Sequence, residues 1–160
     1  MPPAALDADV AAFLRGRRSI IVGSADAAHR PTLMRAVGAR VSADAREVTV
    51  LLARSQATEL LACVKACGRV AVVFSEPTTH RTLQLKGTDA RVEKPGAEDL
   101  AVIGPYAESL SAELGTIGFE EPLVRAMIAA DPGDVAALRF TPAEIFDQTP
   151  GPHAGAAVAR

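Results

Sequence analysis

Three short segments of this 160-residue chain carry side chains whose types and spacing could do chemistry. The first is Thr32-Leu33-Met34-Arg35-Ala36-Val37-Gly38-Ala39-Arg40-Val41. Read as one extended strand, Leu33, Arg35, Val37, Ala39 and Val41 share a face, because side chains alternate with period two. A guanidinium among apolar neighbours is costly unless paired. A carboxylate, a subunit contact or an anionic ligand would each satisfy Arg35. Gly38, in the middle of the run, fits a bulge or the close approach of something flat.

The second segment is Arg54-Ser55-Gln56-Ala57-Thr58-Glu59. Ser55 is the expected N-cap of a helix running to Ala66. The free N–H groups behind such a cap, the helix dipole and Arg54 could hold a phosphate; an ordinary cap needs no ligand. The third is Arg81-Thr82-Leu83-Gln84-Leu85-Lys86-Gly87. Thr82, Gln84 and Lys86 share one face of that strand, opposite Arg81, Leu83 and Leu85. Hydroxyl, amide and ammonium in a row can meet the polar edge of a ring system or a phosphate, or simply face water.

Other chemistries find little support. There is no Gly-x-Gly-x-x-Gly, no P-loop, no Gly-x-Ser-x-Gly elbow and no His-Glu-x-x-His. His29, His80 and His153 are scattered through a turn, a strand start and the tail. Asp44/Glu47 and Glu120/Glu121 lie in loops and read as solubility features. Cys63 and Cys67 stand four apart on a helix, with no further Cys or His close by to complete a metal site. They read as small buried fillers, and no metal is expected.

The elements that must position these segments are well punctuated. A first helix starts at Asp7 or Asp9, carries Val10, Phe13 and Leu14 on one face, and ends at Gly16. Strands are expected over Ser19–Ser24, Thr32–Ser42 and Glu47–Ala53, the last two joined by a short hairpin loop. The helix from Ser55 follows, then a strand from Arg69 to Phe74. Glu76-Pro77-Thr78-Thr79 turns the chain into a long strand from His80 to Glu93. Helical patterning fills Ala97–Ala130, with Pro105 and Pro122 suited to first turns. A strand from Val135 to Phe140 comes after the Asp131-Pro132-Gly133-Asp134 turn. The Gly-, Pro- and Ala-rich residues 151–160 are expected to be a disordered tail, leaving one domain over residues 1–150.

Short connections predict a mostly antiparallel sheet. Val48, Val50 and Leu52 alternate with Leu51 and Ala53, and Val70, Val72 and Phe74 with Ala71 and Val73. Strands apolar on both faces call for a barrel interior on one side and helices or a partner subunit on the other. The fold class is therefore α+β: a barrel with flanking helices and a helical insertion before the last strand.

Composition sets the outer bounds. Apolar residues make up 49% and charged residues 22%, with a formal net charge of −2. That is an ordinary globular balance, without the basic stripe of a nucleic-acid binder. No apolar run is long enough to span a membrane. The start, Met1-Pro2-Pro3-Ala4-Ala5-Leu6-Asp7, lacks the pattern of a signal peptide, so a cytoplasmic address is expected.

The order of elements, together with Arg81–Gly87 and the closing Phe146-Asp147-Gln148-Thr149-Pro150-Gly151-Pro152, resembles the pyridoxamine-5′-phosphate-oxidase-like, FMN-binding split-barrel proteins. The resemblance covers roughly residues 8 to 152. It implies a homodimer with FMN in clefts at the subunit interface, and hydride or electron transfer to or from a small molecule. It also implies site residues. Arg35, Ala36 and Val37 match the strand along the flavin, and Arg54, Ser55, Gln56 and Thr58 match the phosphate grip. Thr82, Gln84 and Lys86 match the strand that closes the cleft. Three positions depart from the pattern: Gln56-Ala57 stand where relatives place Arg-Lys, and Thr82 stands where a glutamine is expected. A dimeric protein that holds a flavin, deazaflavin or haem without catalysis is the alternative.

Overall fold

The computed structural model describes residues 4–159. Helix α1 (Ala8–Arg15) is capped by the Asp7 carboxylate, which accepts from the Asp9 N–H at 2.8 Å. It buries Val10, Phe13 and Leu14, as their spacing requires. Strands β1 (Ser19–Ala25) and β2 (Pro31–Arg35) form a hairpin, followed by β3 (Gly38–Val41) and β4 (Val48–Ala53). Helix α2 (Thr58–Cys67) leads to β5 (Val70–Ser75), β6 (Thr82–Gly87) and β7 (Arg91–Glu93). After α3 (Ala97–Leu100), α4 (Ile103–Gly115) and α5 (Glu121–Met127), the chain closes with β8 (Val135–Phe140) and β9 (Glu144–Asp147). Two strands thus follow the helical insertion, where the sequence suggested one.

The strands form two antiparallel sheets: five strands in the order β2-β1-β5-β6-β9, and four in the order β3-β4-β8-β7. Their inner faces meet in one core. Ile20, Val22, Val72, Phe74 and Leu85 come from the first sheet, Val50, Leu52, Leu138 and Phe140 from the second. Leu60, Leu61 and Val64 of α2 complete it.

Both long strands expected from the sequence are broken, and each half joins a different sheet. At Ala36 the chain leaves the first sheet and at Val37 it enters the second. The Ala36 N–H donates to Ile20 O (2.9 Å) and the Val37 N–H to Leu51 O (2.8 Å). Residues 88–90 make the second crossing, between β6 and β7. There the Ala90 N–H donates to the carbonyl of Gly68 (2.9 Å). Gly68 ends α2 at φ +66°, and a Cβ on it would lie 2.7 Å from the Thr88 carbonyl. The close approach and the left-handed backbone together call for glycine. Periodicity alone could not show either break, because both halves keep the apolar alternation.

The two sheets differ on their outer faces. That of the four-stranded sheet is covered: Val37, Leu51, Val135 and Ala137 pack against Leu100, Val102 and Ile103. Asp99 fastens this cover. Its buried carboxylate pairs with Arg40 (2.9 Å) and Arg139 (3.6 Å) and caps α3 through the Gly96 N–H (2.9 Å). Farther out, α4 and α5 share a small cluster of Leu110, Leu114, Val124 and Ile128. The insertion packs on the barrel. Among the described residues, the outer face of the five-stranded sheet has no such cover, and its side chains on β1, β2 and β5 are half-buried or exposed.

Two smaller expectations are corrected. The segment after Pro150 is hydrogen-bonded back onto β9: Gly155 N–H reaches Asp147 O (2.6 Å) and Val158 N–H reaches Ile145 O (2.8 Å). Cys63 and Cys67 are half-buried free thiols, not core fillers. The Arg69 N–H, 3.4 Å from Sγ, holds the Cys67 thiol below its usual pKa. Among the described residues, no helix is long and apolar enough to cross a membrane.

Candidate functional site

The register places the sequence-derived residues on two separate surfaces. On the uncovered face of the five-stranded sheet, Arg35, Ile21, Val73, Gln84 and Phe146 form one cross-strand row. The neighbouring row runs Leu33, Gly23, Ala71, Lys86 and Glu144. On the other side stand Ser19, Ser75 and Thr82. Arg35 and Gln84 are three strand spacings apart, about 14 Å, with Ile21 and Val73 between them. The result is an apolar strip with polar margins.

Arg35 stays short of partners. Its guanidinium donates to the Ser19 hydroxyl (2.7 Å), and among the described residues no carboxylate pairs with it. Thr82 Oγ1 is used locally, donating to Ser75 Oγ or His80 O at 3.0 Å. Gln84 Oε1 lies 3.4 Å from Gln148 Nε2. Lys86 is exposed, its ammonium 4.8 Å from the centre of the Phe146 ring. A depression of about 480 Å³ lies over the neighbouring Leu33–Glu144 row, lined by Leu33, Ala71, Lys86, Arg69 and His29.

The second surface is a cleft of about 320 Å³ where β2 and the start of α2 diverge. Thr32, Leu33 and Met34 form one wall and Gln56, Ala57, Thr58 and Leu60 the other. Ala36 and Val37, expected along a flavin, do not line this cleft and offer it no donor. Their side chains are buried and their N–H groups are committed to the two sheets. Leu33, 69% exposed, borders both the cleft and the sheet-face depression. The two surfaces therefore meet at the free edge of β2.

Ser55 does not cap α2. The helix begins at Thr58, behind Ala57, which makes no side-chain cap. Ser55 lies in the turn that follows the last β4–β8 pair, Ala53 and Val135. Its N–H donates to the Asp134 carboxylate (3.1 Å), as does its hydroxyl. The Arg54 N–H donates to Asp134 O (2.7 Å), and the Arg54 guanidinium to Val135 O (3.1 Å). The Thr58 hydroxyl points back to Ser55 O (3.3 Å). Of the residues expected to grip a phosphate, Ser55 thus holds a carboxylate of the same chain, while the Arg54 guanidinium and the Thr58 hydroxyl are spent on backbone carbonyls. The phosphate of FMN does not fit the Ser55 turn as it stands.

The sequence reading missed Asp134, Ser19 and Tyr106. Asp134 was legible only as part of a turn, because its partner is 79 positions away. Tyr106 comes from α4, and its hydroxyl is buried without a partner. Burial pushes its pKa up to about 12, against the opposing pull of the Arg35 charge. Among the described residues, no three His, Cys, Asp or Glu side chains group as a metal site.

No family model matches the sequence, and no curated protein matches it. Solved structures do. HupZ from Group A Streptococcus superposes with a TM-score of 0.55 at 16% identity, covering 94% of this chain and 100% of that one. A candidate pyridoxamine 5′-phosphate oxidase from Lactobacillus delbrueckii gives 0.53 at 15% identity, covering 89% and 93%. The fold is the pyridoxamine-phosphate-oxidase-like split barrel. HutZ, described as the heme storage protein of Vibrio cholerae, gives 0.50 at 14% identity, covering 90% and 95%. Identities this low establish the split barrel and leave the ligand to be argued from the residues.

Proposed function

We propose that this split barrel pairs with a second copy through the uncovered sheet face, and that the pair binds a flavin-type ring and acts as an oxidoreductase on a small molecule. The observation that carries the reading is the division of the site. The cleft at Gln56 and Thr58 and the free donors of Arg35 and Lys86 lie on adjoining surfaces, and the Leu33 edge is open to both. A second copy laid on the strip would cover Ile21, Val73 and Leu33 and bring its own Gln84 and Lys86 over the cleft. Apolar burial drives such pairing, and the polar margin then faces the ring edge.

A bound flavin would supply the hydride or electron-pair chemistry. This chain's residues would hold it: Met34 and Thr32 along one wall, Gln56 and Thr58 along the other. Purified protein tests the proposal directly. Flavin bound at about 450 nm absorbance and bleached by a nicotinamide donor supports an oxidoreductase. Protein that takes up neither FMN nor riboflavin contradicts it.

A second reading, ligand storage without catalysis, draws on one observation. His29 lines the apolar depression, as do Arg69 and Lys86. Such a site could take a tetrapyrrole, with the imidazole on iron and the cations on its carboxylates. A Soret band on adding haemin, lost in His29→Ala, would favour this reading over the flavin.

A further inference from the structure

Arg54 stands just past β4, Lys65 on α2 and Lys94 just past β7, and all three line one cavity of about 520 Å³. Among the described residues, none of the three forms an ion pair. The Arg54 guanidinium donates to Val135 O at 3.1 Å, which fixes its place without cancelling its charge. Glu93 is the acid on the same lining, and its carboxylate is already paired with Arg91 (2.7 Å) and Arg139 (3.5 Å). Asp134, although it lies between the lining residues Gly133 and Val135, is not part of the wall. Its carboxylate accepts from the Ser55 N–H (3.1 Å) and hydroxyl instead.

Like charges gathered around one space repel each other, and an anion placed among them turns that repulsion into attraction. Val92, Leu100 and Val135 line the same space with apolar surface, so it suits an organic body as well as charged groups. The cavity shares no residue with the cleft between β2 and α2. No residue of the five-stranded sheet lines it, so it also lies outside the face proposed for pairing. We infer that this cavity is a second binding site, taking a small organic diphosphate. Its phosphates would lie among Arg54, Lys65 and Lys94, and its organic body against Val92, Leu100 and Val135. The site does not depend on whether the cleft holds a flavin.

The test titrates ADP and inorganic pyrophosphate separately into the 15N-labelled full chain at low salt, following the amides of Lys65, Lys94 and Gly133. Both probes should give saturable shifts at these amides and none at Gln56 or Thr58. Shifts that never saturate, or that appear at Gln56 and Thr58 instead, would overturn the site. ADP should bind at least as tightly as pyrophosphate, because its nucleoside adds apolar contact. ADP binding about ten-fold more weakly than pyrophosphate would overturn the part assigned to the apolar wall. Lys65 and Lys94 are exposed, so replacing them should leave the fold intact. Lys65→Gln and Lys94→Gln should each weaken ADP about three- to five-fold, the size of one exposed ion pair, and the double variant more. Lys65→Arg should keep the wild-type affinity. An affinity unmoved in the double variant, with its urea midpoint unchanged, would overturn the inference. Citrate should bind more weakly than ADP; equal binding would mean that the cavity reads charge alone and would overturn the diphosphate assignment.

Discussion

The Ser55 turn and the outer face of the five-stranded sheet both present polar residues in patterns suited to binding, but they have opposite fates in the fold. At the turn, the Ser55 amide and hydroxyl and the Arg54 guanidinium are taken up by Asp134 and Val135. On the sheet face, Arg35 keeps most of its donors free and Lys86 only overlies a ring. Polar groups satisfied within the chain act as fasteners, whereas those left with spare donors are available to a partner or ligand. Residue type does not separate the two cases; the position of an acid far away in sequence does.

This contrast can be broken or sharpened by substitution, beginning with the most deeply committed acid. Asp99→Ala should leave Arg40 and Arg139 without their buried counter-charge and cost about 3 kcal/mol, read as a lower urea midpoint. Asp134→Ala should cost about 1–2 kcal/mol, because the Ser55 donors are exposed and water can replace part of what is lost. Arg35→Ala, on the available side of the comparison, should change folding stability by less than about 0.5 kcal/mol and instead weaken association and ligand binding. A loss at Arg35 as large as that at Asp99 would remove the distinction between fasteners and free donors.

The sole tyrosine gives a pH-dependent check on the insertion that packs beside Arg35. With its pKa raised to about 12, Tyr106 stays protonated in the folded state at a pH where the unfolded chain ionises. Its contribution to stability should therefore be complete below about pH 10 and be lost as pH rises from there toward 12. Absorbance titration of tyrosinate should show this late midpoint, with no tryptophan to interfere. A midpoint at the ordinary value would mean that α4 does not bury the ring.

Much of the barrel was legible in the sequence. The apolar alternation of Val48–Ala53 announced a strand with two covered faces, whereas in Val70–Phe74 only the inner face is buried within the chain, and the Thr82, Gln84, Lys86 face is the one observed. The crossings at Ala36–Val37 and at residues 88–90 were not legible. A strand that changes sheets keeps its period-two pattern, and the change shows only in which strand each amide finds. The site was legible by residue type but not by grouping. Arg35 reads as a cation in want of a partner, and that is how it stands. Ser55 reads as a cap, yet its N–H and hydroxyl donate to Asp134 instead.

Whether two copies share the uncovered sheet face is tested most directly by sedimentation of the purified chain. Leu33 is the probe: it is exposed in the single chain, and an aspartate there costs the fold little but places charge in the proposed interface. Wild type is expected at twice the 16.6 kDa chain mass, and Leu33→Asp at the single-chain mass with its thermal unfolding unchanged. A wild-type chain that sediments at 16.6 kDa while binding a flavin at full affinity would contradict the shared cleft.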